Sequence, residues 1–253
     1  MNRRKRSEHP KQVSIDRVFL AADWRHLAML NYEVDASLLL PVVPAGTELD
    51  QWGGKSFVSL VGFRFLRTRL FGFLPIPLHS NFDEVNLRFY VRRRVAGEVR
   101  RGVVFIREIV PRRAIAFVAR TFYNENYCAA PMSHEIRSIG DDRLSVAYRW
   151  RSGDCDSKIR LETKGPSELP QEGSAEQFIT EHYWGYAAQP DGGCVEYRVA
   201  HPSWRVWQTQ EAAFEGDAEK FYGKELAAVL RGRPHSAFLA EGSAVTVMRG
   251  RSL

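Results

Sequence analysis

The chain has 253 residues, of which 44% are apolar and 26% charged, and a formal charge of +6. That is the composition of a soluble globular protein with a sizeable core, and no run approaches the roughly 18 to 20 consecutive apolar residues of a membrane helix. Its three cysteines (Cys128, Cys155 and Cys194) stand far apart with no CxxC spacing, which excludes a disulfide framework, disfavours a structural zinc site, and points to a reducing, cytoplasmic setting.

In chain order, residues 1–13 read as a basic disordered tail. "MNRRKRSEHPKQ" is followed by no hydrophobic segment, so it is not a secretory signal. Residues 14–253 read as a single domain, with no internal repeat and no linker long enough to divide it. "DWRHLAMLNYEVD" suggests a short helix near the start. "KSFVSLVGFRFLRTR" (55–69) and "GVVFIREIV" (102–110) are rich in β-branched and aromatic residues and predict strands. Between them, "NFDEVNLRFYV" (81–91) alternates. "RRAIAFVARTF" (112–122) sets Ile115, Val118, Ala119 and Phe122 at the spacing of one helical face. "HEIRSIG" and "RLSVAYRW", joined by "GDD", predict a hairpin, and "SKIRLETKG", "CVEYRVAHP" and "WRVWQTQEA" predict further strands. "SAEQFITEHYWGY" opens with Ser174 and Gln177, a capping-box pattern, and "DAEKFYGKELAAVLRG" (217–232) offers Asp217 as cap and Gly232 as terminator of one helix. The end, "SAFLAEGSAVTVMRG", reads as two short strands around Glu241-Gly242-Ser243. Many strands with few helices and no βαβ alternation predict an α+β, mainly antiparallel β domain.

The positive charge is unevenly spread. Arg3 to Arg6 lie in the tail, and Arg92–Arg94 and Arg100–Arg101 flank "VAGEV", which looks like a hairpin turn where solvated charge is expected. Aromatic residues are not interleaved with the basic ones as on a single-strand stacking platform, so nucleic acid is not an expected partner.

The alternation at 84–91 is the most informative pattern. Val85, Leu87, Phe89 and Val91 face one way, while Glu84, Asn86, Arg88 and Tyr90 face the other. A carboxylate, an amide, a guanidinium and a phenol make an unusual solvent face, and they suit a pocket lining. Glu84 and Arg88 lie about 13 Å apart along the strand, too far for a direct ion pair. Each needs a partner across the sheet, a ligand, or water, because a buried unpaired charge costs several kcal/mol. Two readings stay open: the pair only specifies packing, or Arg88 holds an anion bidentately with Glu84 beside it as hydrogen-bond acceptor or general base. Arg64, among aromatics, is a candidate second cation or an outward-facing strand arginine. Tyr123, Asn126 and Tyr127 are candidate loop contacts to a ligand, or satisfy loop backbone. Trp52 could pack over a cavity mouth, though a surface or core aromatic is the commoner case, and Cys128 reads as a small core hydrophobe rather than a nucleophile beside an arginine. The seven histidines show no HxH, HxxxH or HExxH spacing, so no metal is expected. Neither a Gly-x-Ser-x-Gly elbow nor a phosphate-binding glycine loop occurs, and no cofactor is expected.

Several segments resemble the YqjF-like family of uncharacterised bacterial proteins. They are "LLLPVVPAGTELDQWGGKSFVSLVGF" (38–63), "FDEVNLRFYV" (82–91), "FITEHYWGY" (178–186), "VAHPSWRVWQ" (199–208) and the closing "GSAVTV". That family is placed in the acetoacetate decarboxylase-like superfamily. The resemblance implies a cone-like barrel of antiparallel sheet around a small-molecule cavity, with the glutamate of an aromatic-x-Glu pattern, here Phe82-Asp83-Glu84, turned into it. One departure matters. The decarboxylases use a lysine that forms a Schiff base with a keto acid. The corresponding segment here, "TFYNENYCAAPM" (121–132), has no lysine, and none occurs between 56 and 157. The expectation is an internal cavity for a small anionic molecule, such as a carboxylate, without that lysine. The alternative is an enzyme doing acid–base chemistry on a keto or carboxylic acid with Glu84. A homo-oligomer is left open.

Overall fold

The computed structural model describes residues 18–76, 80–111 and 126–253. The expected tail and the helix expected over 112–122 lie outside them. The strands are β1 (Val18–Val34), β2 (Glu48–Leu49), β3 (Ser56–Leu70), β4 (Leu74–Pro75), β5 (Phe82–Val95), β6 (Glu98–Val110), β7 (Tyr127–Ala129) and β8 (Met132–Gly140). They continue as β9 (Arg143–Ser152), β10 (Cys155–Glu168), β11 (Trp184–Ala188), β12 (Cys194–Ala200), β13 (Val206–Glu215), β14 (Ser236–Met248) and β15 (Arg251–Ser252). Short helices α1 (Ala36–Leu39), α2 (Ala175–Thr180), α3 (Ala218–Tyr222) and α4 (Lys224–Leu230) punctuate the sheet. The architecture is the mainly antiparallel α+β expected from the sequence.

Pairing follows the order β12–β11–β6–β5–β3–β1–β14 and returns on itself, because β14 also pairs with β12. Within this circuit only β11 on β6 is parallel. From β14 the sheet extends outward through β13, β10, β9 and β8. Side chains of the circuit therefore divide into two sets. One cluster joins Leu27, Met29, Val61, Phe63, Tyr90, Val103, Val199 and Phe238, so it lines the inner face, and Phe178 and Ile179 of α2 pack into it. The other joins Leu30, Leu60, Val85, Leu87 and Phe89 to Tyr148, Trp150 and Ile159 of the extension and to Phe221 and Leu230 of α3 and α4. Both faces of the central strands are thus buried. The layers meet closely at Gly62, where a Cβ would lie 2.7 Å from the Tyr148 ring.

Three local expectations are corrected. "DWRHLAMLNYEVD" is not helical but belongs to β1, with Leu27 and Met29 on the inner face and Ala28, Leu30 and Tyr32 on the outer. Apolar residues on both sides of a central strand make a continuous run that imitates a buried helix. The last segment is one strand, β14, not two. Gly242, at φ +79°, sits opposite Arg25 within the ladder, where a Cβ would strike the carbonyl of Trp24. Residues 217–232 form two helices, since Gly223 at φ +81° breaks the run after Tyr222. Asp217 and Ser174 do cap as expected, accepting from the backbone N–H of Lys220 and Gln177.

Candidate functional site

Strand β5 carries the site. Its alternation holds through the ladder with β3, so Glu84, Asn86, Arg88 and Tyr90 all project to the inner face and are buried, with Glu84 at 2% and Arg88 at 7% exposure. At the Glu84 end, Asn86 Nδ2 donates to Glu84 Oε1 at 3.0 Å and the Tyr127 hydroxyl to Oε2 at 3.4 Å. Glu108 of β6, opposite Asn86 in the register, adds a second buried carboxylate. At the other end a polar chain crosses four strands. The Tyr90 hydroxyl and Ser59 Oγ are 2.6 Å apart, Ser59 donates to Asn31 Oδ1, and Asn31 Nδ2 donates to Ser236 Oγ. Such a ladder pins the strand register, because a slip of one residue would carry every member to the opposite face.

Arg88 sits between these ends. Its guanidinium approaches the Met29 sulfur at 4.0 Å and lies 5.9 Å from the Tyr90 ring centroid. Among the described residues its Nε has no hydrogen-bond partner and no carboxylate lies within ion-pair distance of the guanidinium. Its charge reaches two histidines, His182 and His201, and contributes to lowering the pKa of each behind the larger effect of burial.

The sequence reading missed His182, Asp50 and Arg101. The His182 side chain is 1% exposed, its ring 4.7 Å from that of Tyr90 and edge-on to Phe178. Its Nε2 is 3.1 Å from Asp50 Oδ2, which also accepts from Arg101 Nε at 2.7 Å. Burial would lift the Asp50 carboxyl, but the bonds from His182 and Arg101 outweigh it and hold it below the usual carboxylate value. For His182 burial dominates and pushes its pKa down to about 4, against the pull of Asp50. The three residues stand at positions 50, 101 and 182, and no spacing in the sequence could have announced them.

The other candidates separate. Tyr127 joins the site through Glu84. Asn126 does not: it is exposed, and its Nδ2 donates to the Ile106 carbonyl of β6, so it satisfies strand backbone rather than a ligand. Arg64 lies on the opposite face, 3.8 Å from Asp83, whose other oxygen is 2.9 Å from His134 Nδ1. Phe63 and Phe65 take the inner face, so the residue between them must point outward. Tyr123 is outside the described residues. Trp52 packs on Phe57 and donates to the Gly173 carbonyl, and Cys128 packs against the outer core.

Lys55, Lys164, Lys220 and Lys224 are exposed, and Lys158 is paired with Glu215 at 3.1 Å. No described lysine therefore enters the inner face. Among the described residues no group of three or more His, Cys, Asp or Glu could hold a metal ion, and no helix is long and apolar enough to cross a membrane. A half-open groove of about 520 Å³, lined by Lys164, Leu169, Glu176 and Gln208, lies elsewhere and shares no residue with the β5 row.

Residues 21–244 match the family model DUF2071, described as "Uncharacterized conserved protein". The chain belongs to this family. A relative, "Uncharacterized protein YqjF" of Bacillus subtilis (strain 168), is 28% identical over 196 residues, 76% of this chain and 75% of that protein. Acetoacetate decarboxylase from Legionella pneumophila superposes with a TM-score of 0.64 at 14% identity, covering 98% of this chain and 93% of that one. The enduracididine biosynthesis enzyme MppR, complexed with pyruvate, superposes with a TM-score of 0.58 at 11% identity, covering 97% and 94%. The family member described here thus has the acetoacetate decarboxylase-like fold.

Proposed function

We propose that the chain binds a small anionic organic molecule, most simply a carboxylate, on the inner face of the strand circuit, with Arg88 as its charged contact. The observation that carries this reading is the guanidinium itself. A buried cation without a carboxylate costs several kcal/mol, and an arriving carboxylate would recover that energy through charge-assisted, bidentate bonds. MppR, with the same fold, holds pyruvate. The inner face here offers no described lysine amine, so the bound compound is held without a Schiff base.

The test is calorimetric titration with pyruvate and with butyrate. Wild type binds at least one of them, and Arg88→Met weakens that binding at least tenfold. Equal affinity in the variant would remove the basis of the proposal.

A second reading is favoured by Glu84, whose two oxygens are held by Asn86 and Tyr127. A carboxylate so fixed beside a bound carbonyl compound is suited to accept a proton, which would make the protein an acid–base enzyme. Glu84→Gln then abolishes turnover of a substrate while leaving its affinity within about threefold; a loss of affinity alone would place Glu84 in binding.

A further inference from the structure

The site contains a second unanswered group. Asp50 accepts from Arg101 and can only accept when ionised, so the hydrogen between it and His182 belongs to His182 Nε2. The other ring nitrogen, Nδ1, is buried and has no partner among the described residues. In a side chain that is 1% exposed, this leaves a lone pair withdrawn from water, a costly arrangement. Burial and the nearby arginine charges keep the ring neutral at pH 7, so Nδ1 can only accept. His182 is held in this orientation on three sides: by Asp50, by the tilted ring of Tyr90, and edge-on by Phe178. Tyr90 is two residues from Arg88 on the same strand face, and the Arg88 charge is among those that lower the His182 pKa, so the imidazole stands near the guanidinium.

We infer that His182 Nδ1 is a specificity contact that accepts a hydrogen bond from a hydroxyl or N–H of the ligand whose carboxylate lies on Arg88. The ligand class is therefore a hydroxy or amino-substituted acid rather than a simple fatty acid. This rests on the Arg88 reading above and sharpens it. The two groups work oppositely: Arg88 supplies donors for an anion, and His182 supplies an acceptor that rewards a ligand able to donate. The reward discriminates because only a donating ligand pairs the lone pair that is otherwise buried and unpaired.

The probes are butyrate and 2-, 3- and 4-hydroxybutyrate, titrated calorimetrically into the full chain. In wild type, at least one hydroxybutyrate binds tenfold or more tighter than butyrate. His182→Phe keeps butyrate affinity and erases the preference, whereas Arg88→Met weakens all four. A preference that survives in His182→Phe, or butyrate binding with no gain from a hydroxyl at any position, overturns this inference while leaving the Arg88 reading intact. Binding of all four unchanged in Arg88→Met overturns both. Should His182→Phe fail to fold, nitrogen-15 NMR of labelled wild-type histidine gives the decision: Nε2–H with bare Nδ1 supports the assignment, and Nδ1–H overturns it.

Discussion

Two buried charges in this protein are treated in opposite ways. Glu196 of β12 has a fully buried side chain and accepts from Arg100 at 2.8 Å, Arg93 at 3.2 Å, Arg251 Nε at 3.0 Å and the Tyr186 hydroxyl at 3.2 Å. Arg88 of β5, nearly as buried, meets a thioether and an aromatic ring. A charge surrounded by opposite charges is a structural joint. On the reading proposed above, a charge left with soft neighbours is held open for a ligand, and the same rule of desolvation and compensation would serve stability in one place and affinity in the other.

Mutation can break the comparison. The largest effect is expected at Glu196: Glu196→Gln leaves three guanidiniums facing one another and should cost about 3–5 kcal/mol in urea unfolding at pH 7. Arg88→Met should do the reverse, stabilising the ligand-free chain by about 1–3 kcal/mol in the same measurement. A destabilised Arg88→Met would mean that Arg88 is structural after all.

Titration probes the Asp50–His182 pair. The folded pKa of His182, about 4, lies below its unfolded value of 6.5. Between these values the unfolded chain binds the extra proton, so stability falls as pH is lowered from 6.5 toward 4, by up to about 1.4 kcal/mol per unit from this one group. His26 and His201, also lowered chiefly by burial, act in the same direction. His182→Phe should therefore flatten the pH dependence of the unfolding free energy in that window, and an unchanged slope would contradict the assignment of a neutral ring. The smallest expected effect is none: borohydride with pyruvate or acetoacetate should leave no adduct by mass spectrometry, and a labelled lysine would overturn the exclusion of Schiff-base chemistry.

The sequence made β5 readable because strict alternation distinguishes two faces, and the unusual chemistry of one of them singled it out. Alternation could also have resolved Arg64, flanked by two phenylalanines that claim the inner face. Strand β1 was misread because burial on both sides erases the period that marks a strand. The arginines around "VAGEV" were expected to be solvated, yet Arg93 and Arg100 point to a carboxylate 103 and 96 residues away, and only the fold brings Glu196 to them. The Asp50–Arg101–His182 set was hidden for the same reason.

The Glu196 joint also has a topological role. Hairpin β11–β12 is attached to the strand circuit by two residue pairs at β6 and two at β14, whereas β1 and β14 share a long ladder. Glu196 stands on that hairpin, and the arginines it gathers come from β5, β6 and β15. Where backbone rungs are fewest, one carboxylate serves as the clasp. Its pKa is held below the ordinary glutamate value, burial being outweighed by the surrounding arginines, so the clasp stays fastened well into acid. Unfastened, the hairpin would be held by its few rungs and by the packing of Tyr186, Tyr197 and Val199, and the circuit would open at that seam first.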